Sequence, residues 1–172
     1  MPALKTMPKG AMRWLVVFTA VNFFVTAHEG RHVVTRAAPP EVELQLYFIN
    51  PNLPEWANSC SAGEFVKRKV ATTKRPAHTA LTLLFAGPTA EEKTKGMQTL
   101  APLGNYYLGV SIKKGVAIVN FKLGAEKYLH VSGAFCEQEQ VLTPIIKTLK
   151  QFATIKSVDY AINGKIIKDW DA

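Results

Sequence analysis

Residues 108–121 read LGVSIKKGVAIVNF, in which two apolar segments surround a Lys-Gly pair. Leu108, Val110 and Ile112 alternate with small or polar residues, which is the period of a strand with one buried face. The pair at 114–115 supplies a tight turn. Residues 116–121 are apolar on both faces. We therefore predict a β-hairpin whose second strand lies in the interior of a sheet.

The segment before this hairpin predicts two further strands and a helix. Alternation over residues 41–48 predicts a strand that ends at the turn Asn50-Pro51, and residues 64–70 predict a second, shorter one. Pro76 suits the first turn of a helix, and an apolar face follows it up to the stop at 87–88.

Thr89 is followed three residues later by Glu92, which is the spacing of a capping box. This pair predicts one or two helical turns that end by Gly96.

The segment after the hairpin predicts a long helix and a last strand. Val141, Ile145 and Leu149 recur every four residues, as expected for the buried stripe of a helix, with Ser132 as its cap. Pro144 removes one backbone hydrogen bond, so we expect a kink or a restart capped by Thr143. Residues 155–162 predict a strand that leads into the hairpin turn Asn163-Gly164 and a short return over 165–168.

These elements predict an α+β fold, a mixed β-sheet with two main helices packed on one face. Residues 41–172 form a single predicted domain, which fits a chain of 172 residues. Residues 28–40 lack apolar periodicity and end in Pro39-Pro40, so we interpret them as a flexible linker.

The N-terminal segment predicts export. Lys5, Lys9 and Arg13 precede an apolar run at 14–27 that closes with small residues, as a secretory signal peptide does. We predict a signal peptide at 1–27 and a periplasmic or otherwise extracytoplasmic protein. The alternative is that this segment stays attached as a membrane anchor, the only membrane contact that we expect.

The net charge of +8 comes from 21 Lys plus Arg against 13 Asp plus Glu. The basic residues are dispersed and have no interleaved aromatic platform, so we do not expect nucleic-acid binding. The glycines never reach the spacing of a phosphate loop, and we expect no cofactor.

At this point the sequence resembles the GerMN family of bacterial sporulation, spore germination and cell-envelope domains. The resemblance covers residues 42–165 and rests on three motifs: Gly87-Pro88-Thr89 with Glu92 and Gly96; Gly115-Val116-Ala117 with Val119, Asn120 and Phe121; and Thr148-Leu149 with Gln151-Phe152, Val158 and Asn163-Gly164.

The resemblance implies an exported domain without assigned catalytic residues. It also implies a fold similar to the ring-building motif of secretion-system and sporulation-channel proteins, and hence a role in protein assembly. The chain departs from the family pattern at Asn120, where an acidic residue is common, and at Pro144, where Gln is common.

Cys60 and Cys136 are the only cysteines. An even count in an oxidising compartment predicts a disulfide between them. The alternative is a catalytic thiol at Cys136 with His130 as its base.

Two other patterns resemble metal or catalytic sites. His28, Glu29 and His32 match the zinc pattern H-E-x-x-H, but Gly30 and the following linker do not suit the helix that this pattern needs. Glu91 with Glu92, and Glu137 with Glu139, lie at predicted helix starts, where acids are stabilising. We therefore predict no metal site and no enzyme activity.

The loop at 50–59, NPNLPEWANS, is the predicted contact site, with Trp56, Leu53 and Tyr47 as its contact residues. Tyr106, Tyr107 and Trp170 are the other aromatic candidates. We expect the partner to be a cell-envelope protein or a second copy of the chain. The alternative function is binding or hydrolysis of an envelope polymer such as peptidoglycan.

Overall fold

The computed structural model describes residues 39–129 and 135–168. The predicted signal peptide, most of the linker, the H-E-x-x-H pattern, His130, the cap Ser132 and Trp170 lie outside these residues. The elements in chain order are β1 Glu41–Ile49, a 3₁₀-helix Pro54–Asn58, β2 Gly63–Ala71, α1 Pro76–Ala86, α2 Ala90–Thr94, α3 Ala101–Gly104, β3 Tyr107–Lys113, β4 Val116–Phe121, α4 Glu126–Leu129, α5 Phe135–Lys150, β5 Ser157–Ile162 and β6 Lys165–Ile166.

The strands form two sheets. β1 and β2 pair antiparallel from Glu41 opposite Ala71 to Ile49 opposite Gly63. The second sheet has the order β3-β4-β5-β6, with β4 and β5 parallel and the other two pairs antiparallel. The predicted α+β class, with a mixed sheet whose interior strand is 116–121, is confirmed. β1 and β2 form a separate two-stranded sheet. The alternation of apolar residues does not reveal this separation.

Side chains of Thr148 in α5 and of Gln151, directly after α5, cover the free edge of β1. The backbone N–H of Gln45 donates to Oε1 of Gln151 over 2.9 Å, and Nε2 of Gln151 donates to the carbonyl of Gln45 over 2.7 Å. The Gln151 amide thus makes both hydrogen bonds that a neighbouring strand residue would make. One step further along, the N–H of Tyr47 donates to Oγ1 of Thr148. An uncovered strand edge can pair with other chains. Here side chains occupy the hydrogen-bonding groups of Gln45 and Tyr47 that such a chain would use.

The core lies between the two long helices and both sheets. α1 and α5 pack on each other, α1 also contacts β1 and β3, and α5 contacts β1 and β5. On β4, Ala117, Val119 and Phe121 share the face that the helices cover and are fully buried. Burial of a side chain of the size of Val119 or Phe121 contributes about 1.5–3 kcal/mol to folding.

The predicted turns and the capping box are present. The Glu92 N–H donates to Thr89 Oγ1, and the Thr89 N–H donates to a Glu92 carboxylate oxygen. Asn163 and Gly164 both have positive φ, 47° and 81°, as a tight hairpin turn requires.

Of the two outcomes predicted at Pro144, a kink or a restart capped by Thr143, the restart is wrong. α5 continues through Pro144 to Lys150. A proline in a helix interior costs about 3 kcal/mol. Pro144 is itself buried, and the neighbouring Ile145 and Leu149 are fully buried, so the packing of this face holds the helical conformation.

Candidate partner-binding site

Residues 50–62 form a closed loop between β1 and β2, which we call the Trp56 loop. Its ends meet where the N–H of Asn50 donates to the carbonyl of Ala62 over 3.0 Å. Pro54 opens the 3₁₀-helix, which carries Trp56 at its centre. The N–H of Trp56 donates to the Leu53 carbonyl over 3.0 Å. Trp56 and Leu53 are both half-buried, so each keeps part of its apolar surface in solvent.

Asn50 fixes the start of the loop. Its side chain is buried, with 3% exposed, and both ends of its amide are bonded. Oδ1 accepts from the N–H of Asn52 over 3.1 Å, and Nδ2 donates to a carboxylate oxygen of Glu64 over 2.8 Å. The first bond is an Asx turn, which replaces a backbone turn with a side-chain one.

Tyr47 supports the loop from below. Its hydroxyl donates to the carbonyl of Ser61 over 2.8 Å and accepts from Nζ of Lys147 over 3.0 Å. The Lys147 ammonium also lies 4.1 Å from the ring centroid, a cation–π contact. Only 3% of Tyr47 is exposed. The prediction that Tyr47 contacts a partner with its surface is therefore corrected: this residue positions the loop.

The structure contains the predicted disulfide. Cys60, near the end of the Trp56 loop, is bonded to Cys136 in the first turn of α5, with 5.1 Å between the Cα atoms. A disulfide sulfur is neither a nucleophile nor a base. The alternative of a catalytic thiol at Cys136 is excluded in this oxidised state.

A cleft of about 370 Å³ opens beside the loop. The side chains that give it chemical character are Tyr47, Leu53, Glu55, Ser59, Ser61 and Lys147. They supply one carboxylate, one ammonium group, three hydroxyls and an apolar surface. Such a cleft can hold a polar or charged side chain of a partner whose apolar neighbour packs on Leu53.

The sequence predicts Trp56 and Leu53 at this site, and its predicted contact loop 50–59 includes Glu55, but it does not indicate Lys147 or Ser61. Lys147 is 100 residues from Tyr47 in the chain, so no local pattern could have joined them. The one usable signal is the predicted Cys60–Cys136 disulfide, which joins this loop to the helix that carries Lys147.

Residues with displaced pKa values lie outside this cleft. Two hydrogen bonds from Arg68 are the main reason that the pKa of Glu92 is lowered. Burial raises the pKa of Tyr107. Burial, and then the charge of Arg75, lowers the pKa of His78. Glu92 serves in an ion pair and a helix cap.

Two further features bear on ligands and membranes. Across residues 39–129 and 135–168, no group of three or more His, Cys, Asp or Glu side chains is arranged to hold a metal ion. Within the same ranges, no helix is long and apolar enough to cross a membrane.

The sequence profile of the Germane family, described as sporulation and spore germination, matches residues 45–168. This chain belongs to the Germane family. The GerMN resemblance inferred from the three motifs is thereby confirmed. The Germane match includes the Trp56 loop, both cysteines and the α5 residues that cover β1.

One solved structure with a TM-score above 0.5 supports the fold. The tandem GerMN domains of the sporulation protein GerM from Bacillus subtilis align with 77% of this Germane chain at 22% identity, with a TM-score of 0.54. This chain spans 43% of the length of that tandem structure. The first GerMN domain of the same protein aligns with 75% of this chain and 88% of its own length, at 24% identity and a TM-score of 0.46. Comparison with curated proteins yields no match.

The family motifs have identifiable structural tasks in this Germane domain. Thr148 and Gln151 bond the edge of β1, and Glu92 completes the capping box. Oδ1 of Asn120 accepts from the N–H of Gly164 over 2.8 Å. Because that contact needs only an acceptor, the acidic residue common at this position could make it equally well.

Proposed function

We propose that this protein acts outside the cytoplasm as a non-catalytic binding domain of the bacterial cell envelope, in sporulation or germination. Its Trp56 loop docks a partner protein. Membership of the Germane family supports a role in sporulation or germination. The basic residues and the apolar run of the N-terminal segment support export. The Cys60–Cys136 disulfide supports an oxidising compartment.

The observation that carries the docking role is the fixed geometry of a partly exposed Trp. The Asn50 amide, the Tyr47 hydroxyl and the disulfide each restrain the Trp56 loop independently. A loop ordered before binding does not lose that conformational entropy on association. Tryptophan is also among the residue types that contribute most to binding energy in interfaces.

Site-specific photocrosslinking in the source bacterium tests this proposal. A photoreactive amino acid at position 56 of the full chain should capture one envelope protein, identified by mass spectrometry. The matched control has the same amino acid at position 123, because Leu123 is 71% exposed and lies outside the loop and its cleft. Capture of the same protein at both positions would contradict docking through the loop.

A second measurement separates the proposed function from its alternative. If position 56 captures glycan strands and no protein, the domain binds an envelope polymer. If purified protein cleaves peptidoglycan fragments and Lys147→Met abolishes that cleavage without unfolding the protein, the domain is an enzyme. Either result would overturn the proposal.

A further inference from the structure

A second concave surface lies at the other end of α5 from the disulfide. Cys136 is in the first turn of α5, whereas Phe152 follows its last turn, and 16 helical residues extend about 24 Å. Here Lys74, Arg75, His78, Val110, Ile112 and Phe152 line a groove of about 210 Å³. We call it the α1–β3 groove.

The floor of the groove is apolar and partly open to solvent. Ile112 is 45% exposed, and Val110 and Phe152 are half-buried. At the start of the same strand, Leu108 is 52% exposed. Neighbouring apolar side chains that remain exposed to solvent are characteristic of contact surfaces.

The groove lies along an open sheet edge. β3 pairs with β4 on one side, and the described part of the chain places no strand on its other side. An edge strand of seven residues presents unpaired backbone donors and acceptors to an incoming extended segment. β1 differs in this respect, because the side chains of Thr148 and Gln151 accept hydrogen bonds from the backbone at its edge.

The rim of the groove is positively charged. Lys74 and Arg75 are exposed, neither forms an ion pair with any described residue, and no carboxylate lines the groove. His78 is held by a 3.0 Å hydrogen bond between its Nδ1 and the Tyr107 hydroxyl. Burial, and then the charge of Arg75, lowers the pKa of His78 below 6.5, so at neutral pH the positive charge at the rim comes from Lys74 and Arg75.

We propose that the α1–β3 groove binds an extended, acidic segment of a partner protein. Its backbone pairs with the open edge of β3, its apolar side chains pack on Val110, Ile112 and Phe152, and its carboxylates meet Lys74 and Arg75. Charge complementarity selects an acidic occupant. The apolar floor and the backbone edge favour a peptide over a polyanion, which would need neither. This surface is separate from the Trp56 loop and does not depend on its role.

A peptide probe tests the groove directly. The probe is a fluorescein-labelled octapeptide of alternating Glu and Val, titrated with the full-length protein and followed by fluorescence anisotropy. Matched probes replace every Glu by Lys or every Val by Ser, and inorganic polyphosphate serves as the polyanion. We expect saturable binding of the Glu-Val probe that weakens as salt rises, since salt screens exposed charges.

Paired variants locate the binding. Lys74→Glu/Arg75→Glu should weaken binding at least about tenfold. Ile112→Ser should weaken it by about fivefold, because apolar contact is lost. The control Lys165→Glu/Lys168→Glu makes the same charge change at exposed residues outside the groove, and it should alter affinity by less than about twofold. Thermal unfolding followed by circular dichroism checks that every variant is folded.

Four results would overturn the proposal: no saturation at about 1 mM protein, equal loss in the control variant, unchanged binding by Ile112→Ser, or binding of the Glu-Ser probe or polyphosphate as tight as that of the Glu-Val probe. The last two would identify a polyanion surface instead of a peptide groove.

Discussion

The backbone N–H of Tyr47 donates to Oγ1 of Thr148 over 3.0 Å, in a buried contact between β1 and α5. Thr148 is fully buried, and its hydroxyl accepts from a β1 N–H beside which residues 39–129 and 135–168 place no strand. The contact therefore replaces a sheet hydrogen bond by a side-chain one. It also fixes the position of Tyr47, whose hydroxyl donates to the Ser61 carbonyl in the Trp56 loop.

Thr148→Val should lower the free energy of unfolding by about 1–3 kcal/mol, because it keeps the shape of the side chain and leaves the Tyr47 N–H buried without an acceptor. Thr148→Ser keeps the hydroxyl and should cost about 1 kcal/mol, from the lost methyl. Urea denaturation followed by circular dichroism measures both. Equal losses in the two variants would show that packing, and not the hydrogen bond, matters here.

Glu92→Gln should make stability less dependent on pH. Hydrogen bonds from Arg68 lower the pKa of Glu92 in the folded state below its ordinary value of 4.5. The ionised Glu92 carboxylate therefore stabilises the folded protein above pH 4.5, and this stabilisation is lost as the pH falls through the folded-state pKa. Gln can still complete a capping box, so the substitution mainly removes the charge paired with Arg68.

We expect Glu92→Gln to cost about 1–2 kcal/mol at pH 7, and the difference from the unmodified protein should shrink as the pH falls below 4.5. Unfolding measured in urea across this pH range provides the test. Glu41→Gln is the control, since Glu41 is exposed at the start of β1. A constant deficit from pH 7 to pH 3 would rule out the ion pair as its cause.

Reduction of the disulfide should destabilise the domain. Cys60 and Cys136 are separated by 76 residues, and closing a loop of this length in the unfolded chain is worth about 4 kcal/mol in the chain-entropy model. We expect a reductant to lower the urea midpoint of the protein but not that of the Cys60→Ser/Cys136→Ser variant. If both thiols of folded, untreated protein can be alkylated, the pairing does not form.

Gly96→Ala should disturb the Trp56 loop. Gly96 has φ +100°, and a Cβ there would lie 2.6 Å from Oδ1 of Asn50, which fixes the start of the loop. Gly164 is the matched control, because its φ is +81° but nothing lies within 4 Å of the added Cβ. Both substitutions carry the cost of the left-handed region, about 1–2 kcal/mol.

Gly96→Ala should therefore be less stable than Gly164→Ala by about 1–2 kcal/mol. It should also speed hydrogen exchange at the N–H of Asn52 and Trp56, whereas Gly164→Ala should not. Equal melting temperatures and equal exchange at these amides would show that the loop does not rest on Gly96.

Local patterns accounted for most of the secondary structure. The hairpin at 108–121 and the capping box at Thr89 depend on neighbours within a few residues, so the sequence alone predicts them. The restart predicted at Thr143 is wrong because the local cost of Pro144 does not include the packing of Ile145 and Leu149. The short helices α3 and α4 carry no apolar period that could have indicated them.

The candidate site was predictable in part, for a similar reason. Trp56 and Leu53 could be predicted because they lie in one continuous, proline-rich segment of the sequence. Alternation placed Tyr47 on the face opposite Leu46 and Phe48, hence in solvent. At this end of β1 the loop and α5 cover that face as well, so Tyr47 is buried. Only a tertiary contact between distant segments could reveal that.

The disulfide also determines how mechanical tension would pass through the domain. A pull on Trp56 by an attached partner reaches Cys60 within four residues and then passes through a covalent bond into α5. Hydrogen bonds such as that from the Tyr47 hydroxyl to the Ser61 carbonyl share the load with this covalent bond. Oxidised protein should therefore withstand a larger force on Trp56 than reduced protein, in which the Cys60–Cys136 crosslink is absent.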